Sequence, residues 1–198
     1  MASALSGIKS GVGRCRAMGR RVLITGASES GKSHLAQKMA ADFQKAKWPV
    51  IIYTSTIDDE WAGCERHDDL DTFRARMRQL MAHAEKQGRP LRVAVFIDEA
   101  DEVFSLGQKE NYWLLKKGRH YFDFLAVLCQ RPKMVAPTVR GQCAELIAFS
   151  LKDEDAAELS RDFVADLRDL PAFRQGEYYR VFWRDREKVA EKIDGFAK

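Results

Sequence analysis

The chain has 198 residues and a formal net charge of +4, from 33 basic and 29 acidic side chains. That length buries one full core and excludes two ordinary domains side by side. Hydrophobic residues at 45% and charged residues at 31% exclude a disordered, collagen-like or cysteine-framed chain, and the small positive balance permits an anionic partner without requiring one.

A basic stretch comes first. Lys9, Arg14, Arg16, Arg20 and Arg21 precede the first acidic residue, Glu29, so residues 1–20 are expected to be an arm that is either a solvated tail or a segment touching phosphate, with a transit peptide as the other reading. Residues 21–198 are expected to form a single domain. No apolar run reaches the roughly 18 to 20 residues of a membrane span, and the first 20 residues lack the apolar stretch of a secretory signal, so a cytoplasmic location is expected. Cys15, Cys64, Cys129 and Cys143 are scattered, with no C-x-x-C pair and no histidine at ligand spacing, which argues against zinc and against a disulfide framework.

The first predicted element is a β-branched strand, Val22 to Thr25, ending in Gly26. Leu35, Met39 and Phe43 then recur at helical spacing over 32–45. Trp48-Pro49 closes that helix, and 50–54 is a second buried-type strand, completing a parallel βαβ unit. An acid-rich stretch over 58–69 precedes a helix marked by Leu70, Phe73, Met77, Leu80 and Met81, which stops near Gly88 and Pro90. Residues 93–97 form an apolar strand closed by Asp98-Glu99. A helix over 109–118, strands over 124–129 and 145–149, a helix over 153–168 and an edge strand over 178–183 complete the reading. The expected fold is α/β, a mostly parallel sheet of five parallel strands plus that edge strand, with helices on both faces.

Gly26-Ala27-Ser28-Glu29-Ser30-Gly31-Lys32-Ser33 satisfies G-x-x-x-x-G-K-[ST] between a strand and a helix, the P-loop context. Glycines let the backbone curl so that successive N–H groups face phosphate oxygens, and the helix N-terminus adds its positive end. The expected ATP-binding set is Gly26, Ala27, Ser28, Glu29, Ser30, Gly31, Lys32, Ser33 and His34. Lys32 reaches the β- and γ-phosphates, and Ser33 with Asp98 holds Mg²⁺. Glu99 is placed to polarise the attacking water, which points to a hydrolase of the ASCE, RecA-like kind. The plain alternatives are a chance glycine turn and an acidic helix start at Asp98, Glu99, Asp101 and Glu102.

Further on stand Gly118-Arg119-His120, then Cys129-Gln130-Arg131-Pro132, then Val139-Arg140-Gly141-Gln142-Cys143 leading into a strand that ends at Phe149. This order resembles the FtsK/HerA superfamily of DNA-pumping ATPases over roughly residues 20–165, with Cys129 standing where a small hydroxyl residue is usual. The resemblance implies that Gln130 senses the γ-phosphate and that Arg119, with Arg140 as the alternative, reaches the nucleotide of a neighbouring subunit. The compact chain is most similar to the packaging ATPases of membrane-containing viruses, which implies double-stranded DNA as partner, a homo-oligomeric ring of six, a capsid or membrane vertex as docking place, and a host-cytoplasmic or virion-associated location. A zonular-occludens-toxin-like phage assembly ATPase, a small nucleotide kinase and a nucleotide-dependent assembly switch stay open. Segments 58–69 and 105–117 are expected as loops at the carboxyl edge able to face DNA, and the aromatic run from Tyr178 to Trp183 reads as core packing before base stacking.

Overall fold

The computed structural model describes residues 19–55, 61–184 and 187–195. The expected basic arm, apart from Gly19 and Arg20, and the first part of the 58–69 stretch lie outside the described residues. The elements are β1 (Arg20–Thr25), α1 (Lys32–Lys45), β2 (Val50–Tyr53), β3 (Glu65–His67), α2 (Leu70–Gln87), β4 (Leu91–Ile97), α3 (Ala100–Val103), α4 (Trp113–Gly118), β5 (Phe122–Cys129), α5 (Pro137–Arg140), β6 (Glu145–Ala148), α6 (Asp153–Phe163), β7 (Tyr178–Arg184) and β8 (Glu187–Ile193). One sheet runs in the order β3-β2-β4-β5-β1-β6-β7-β8, parallel from β3 to β6 and antiparallel across β7 and β8.

The central strands are apolar at nearly every position because both faces are covered. On β4, Val93, Val95 and Ile97 pack with Phe73, Met77 and Met81 of α2. Its alternate residues Ala94 and Phe96 turn to the other face, against Leu35, Met39 and Phe43 of α1. Phe96 is the hub of that second layer, with ring centroids at 5.5 Å from Phe124, 5.6 Å from Trp61 and 6.4 Å from Phe43.

Several expectations need correction. The parallel part of the sheet has a sixth strand, β3, whose Glu65-Arg66-His67 carries no hydrophobic alternation. It is held by backbone pairing to β2 and by the fork of Arg76, whose Nε and Nη2 donate to Glu65 at 2.6 and 2.9 Å. The final edge is a hairpin, because β8 adds a strand too charged to read as one. α6 stops at Phe163, short of 168: Val164 takes a left-handed φ of 51°, and the Ser160 hydroxyl oxygen accepts the Leu167 N–H at 3.3 Å.

The helix expected over 109–118 is a 3₁₀ turn (Lys109–Asn111) followed by α4. Asn111 makes the corner, donating to the Val103 carbonyl at 2.7 Å and accepting from Arg74 Nε at 2.8 Å. Asn111, Leu114 and Leu115 are buried, so the second half of 105–117 is a packed corner, while Leu106, Gly107, Lys109 and Glu110 are exposed. Residues 61–64 lie at the amino end of β3, where Gln44 Nε2 donates to the Ala62 carbonyl at 3.1 Å, and so do not sit at the carboxyl edge.

Phe96→Ala should destabilise the chain by about 3–5 kcal/mol, since the cavity is walled by rings from α1, β5 and the Trp61 turn. Urea unfolding followed by tryptophan fluorescence measures it, and a loss below about 1 kcal/mol would contradict this packing.

Candidate functional site

β1 is buried from Arg21 to its end at Thr25, and the loop that follows is tied down at both ends. Gly26 N–H donates to the Cys129 carbonyl at 3.4 Å and Ala27 N–H to the Ser150 carbonyl at 2.9 Å, so the strands on either side of β1 hold the loop's start. Its far end is held by Gly176, whose N–H donates to the Ser30 carbonyl at 2.9 Å. Gly26 has no room for a side chain: a Cβ there would stand 2.5 Å from Ser30 Oγ and 2.7 Å from Phe149 Cβ. Gly31 turns the chain into α1 with a φ of 104°, which a residue bearing Cβ adopts only under strain.

The result is a cup of unpaired donors. α1 starts with no side-chain cap, so the first-turn N–H groups of Lys32 and Ser33 have no intrahelical partner. The N–H groups of Ser28, Glu29 and Gly31 donate to no backbone acceptor among the described residues. Ser30 Oγ is buried without a partner, and Lys32 is buried beside it while Ala27, Ser28, Glu29 and His34 are exposed. Such a set of inward-turned donors at a helix N-terminus fits the oxygens of a phosphate chain.

The carboxylates end on the same edge. Ile97 of β4 lies opposite Val127, and Cys129 at the end of β5 lies opposite Thr25. Thus β5 stands between the β1 loop and Asp98, and two strand spacings put the backbones roughly 10 Å apart. Gln130, the first residue after β5, is exposed between the two. Asp98 is anchored by its N–H to the Tyr53 carbonyl at 2.9 Å, and its Oδ1 accepts the Glu99 N–H at 2.9 Å. Glu99 takes a left-handed φ of 52°, and its Oε2 accepts a hydrogen bond from Ser55.

Burial foremost, then Glu99 and Asp101, raises the Glu102 carboxyl above the ordinary range, and burial with Glu102 and Glu99 does the same to the Tyr53 phenol. The edge is therefore electronegative beside the donor cup. Among the described residues no group of three or more histidine, cysteine or acidic side chains converges to hold a metal unaided. A cation there needs further oxygens, which suits Mg²⁺ held by Ser33, Asp98, water and phosphate.

Lys32, Ser33, Asp98, Glu99 and Gln130 are brought to one edge; the two arginines are not. Arg119 closes α4 at the opposite, amino edge, where its carbonyl accepts the Gly19 N–H at 2.8 Å and its Nε donates to His120 at 3.0 Å. The eight-residue β5 separates it from Gln130 by roughly 26 Å. Arg140 is excluded from any role reaching outward. It is 1% exposed, with Nε on Asp162 at 2.6 Å, Nη1 on the carbonyls of Pro132 and Val135 at 2.7 Å each, and Nη2 on Glu158. Ser55 and Gly176 escaped the reading of the sequence. The position of Ser55 just after a strand, at the ligand-binding edge of a parallel sheet, was the available signal; Gly176 offered none.

No family model matches the sequence and no curated protein matches it either. Among solved structures, the genome packaging NTPase B204 from Sulfolobus turreted icosahedral virus 2, in complex with AMPPCP, superimposes with a TM-score of 0.70 at 19% identity, covering 90% of this chain and 98% of that one. The chain has the fold of a viral packaging NTPase. The likeness to B204 extends over nearly the whole of both chains, and a second complex of B204, with ATP-gammaS, gives a TM-score of 0.71. The conjugation coupling protein TcpA of pCW3 matches at a TM-score of 0.63 and 15% identity over 86% of this chain and 59% of that one. The cytoplasmic domain of the Thermomonospora curvata Type VII secretion ATPase EccC matches at 0.63 and 17%, covering 90% of this chain and only 26% of its own.

Arg140→Met should cost about 1–3 kcal/mol of stability, because the carbonyls of Pro132 and Val135 lose their donor and the partly exposed Asp162 and Glu158 lose their common cation. Denaturant titration checks this, and a variant as stable as the parent would remove the clamp.

Proposed function

We propose that the chain binds ATP with Mg²⁺ in the 26–34 loop, hydrolyses it, and couples the cycle to movement of double-stranded DNA, as the packaging ATPase of a virus. The observation that carries this reading is the uncapped, glycine-turned start of α1 facing Asp98 and Glu99 across the single strand β5. In this reading the amides of Ser28, Glu29, Gly31, Lys32 and Ser33 and the ammonium of Lys32 hold the phosphate chain, and Ser33 and Asp98 hold the cation. Mg²⁺, when bound, neutralises charge on the β- and γ-oxygens. Glu99, steadied by Ser55, accepts a hydrogen bond from the attacking water and orients it. The Gln130 amide has both a donor and an acceptor to offer the γ-phosphate and that water.

Arg119 stands too far along β5 to serve its own chain's site, so its assigned role is on the nucleotide of an adjacent copy, within a ring expected to hold six. The name of B204 supports genome packaging as the process, and with it a capsid or membrane vertex as docking place and the host cytoplasm or virion as location. TcpA and EccC are named for conjugation and for secretion, which makes the cargo the point to test.

Lys32→Ala should lower ATP turnover by about 100-fold or more. Glu99→Gln should keep nucleotide affinity and lose about 100-fold in turnover. Phosphate release with and without double-stranded DNA tests the cargo: several-fold stimulation by DNA supports a DNA motor, while full turnover in Glu99→Gln, or indifference to DNA, removes the corresponding part.

A further inference from the structure

Arg20 and Arg21 stand side by side in β1, and strand alternation sends them to opposite faces. Arg20 is spent on Glu145, which its Nε reaches at 2.6 Å. Arg21 is 8% exposed, and no carboxylate answers it. Its Nη1 donates to the neutral amide oxygen of Gln142 at 3.1 Å; Nε is buried without an acceptor, and Nη2 has none among the described residues.

The side left open is the gripping side of a guanidinium. Nε and Nη2 form the parallel fork that takes two oxygens of one anion. Elsewhere in this chain that same pair holds the two carboxylate oxygens of Glu65 from Arg76 and of Asp166 from Arg168. The surroundings of Arg21 are otherwise cationic or neutral: burial holds its guanidinium below the usual arginine range, Cys143 opposes that shift and Arg119 adds to it. Burial pushes the Cys143 thiol up to about 12, so it stays neutral at working pH. The sequence leading into β1 has no acidic side chain before Glu29 to supply a counter-charge. A guanidinium does not shed its proton, so one whose Nε is buried and unanswered and whose Nη2 has no acceptor among the described residues leaves a fork for an anion from outside.

We propose that Arg21, Arg119 and Gln142 form an oxyanion site at the amino edge of the sheet that takes a phosphate group. The choice of phosphate over another oxyanion rests on the ATPase reading. The fork of Arg21 and the second cation at Arg119 match a doubly charged group better than a single carboxylate. The phosphate cannot come from the chain's own 26–34 loop: Arg21 to Thr25 spans roughly 13 Å of strand before that loop begins, and the side chain stands perpendicular to it. Its source is free inorganic phosphate or the nucleotide of a second copy.

The full chain carrying Lys32→Ala, which silences the loop site, is titrated with inorganic phosphate by calorimetry and by thermal unfolding. Saturable uptake with one site per chain and a raised Tm are expected, with affinity at least tenfold weaker when Arg21→Met is added. Without phosphate, Arg21→Met should unfold no earlier than its parent, because it removes an unanswered buried charge; Arg21→Lys, which keeps the charge but not the fork, should also lose the phosphate effect. The source is separated by sedimentation of the Lys32 protein with a non-hydrolysable ATP analogue. Analogue-driven association weakened tenfold by Arg21→Met assigns the phosphate to a second copy, and unchanged association with phosphate uptake retained assigns it to the free ion. A folded Lys32→Ala chain that takes no phosphate, together with association indifferent to Arg21, overturns the site. Absence of ATP uptake by the loop with phosphate still bound through Arg21 would sink the ATPase reading alone.

Discussion

A helix that begins without a cap sets the terms for the rest of this molecule. The first N–H groups of α1 and those of Ser28, Glu29 and Gly31 in the preceding loop have no backbone acceptor among the described residues, and Ser30 Oγ is buried in the same state. Such an arrangement persists only where neighbours over-determine it. Here the neighbours are the carbonyls of Cys129 and Ser150, the N–H of Gly176, and the wall of Phe149 that bars any side chain at Gly26. The buried parallel strands fix the positions of the first two. The sheet is thus the jig that keeps an unfavourable backbone ready for an anion.

The features easiest to read in the amino-acid sequence were those written in contiguous residues. The strand, glycine turn and helix from Val22 to Lys45 lie next to one another, and the fully buried strands announce themselves as unbroken apolar runs. What depended on pairing between distant segments stayed hidden. Nothing local says that β5 inserts between β1 and β4, which sets the spacing of Lys32 and Asp98 and puts Gln130 between them. Glu65-Arg66-His67 and Glu187 to Ile193 lack an apolar face, so their backbone pairing had no signature. Ser55 is one hydroxyl in a polar stretch until the fold sets it beside Glu99.

Arginine illustrates the same limit in a single residue type. Arg140, Arg119 and Arg21 are equivalent on paper, yet the fold gives them unlike surroundings. Arg140 has all three guanidinium nitrogens engaged and staples the turn after Gln130 to α6. Arg119 remains half-exposed at the amino edge, its side chain hydrogen-bonded to its neighbour His120. Arg21 is as hidden as a core residue and keeps one side of its guanidinium empty. Partners and burial, which only the tertiary arrangement supplies, separate a staple from a hand left open.

The two rims of the sheet carry a last implication. One ends in the three-residue β3, studded with charge, and the other in β8, where Glu187, Lys188, Glu191 and Lys192 interrupt the apolar positions. Short or charged border strands are poor templates for a foreign strand. A sheet hemmed in this way resists growth by main-chain zippering, which leaves loops and side chains as the surfaces on which a partner would be recognised, with specificity set residue by residue.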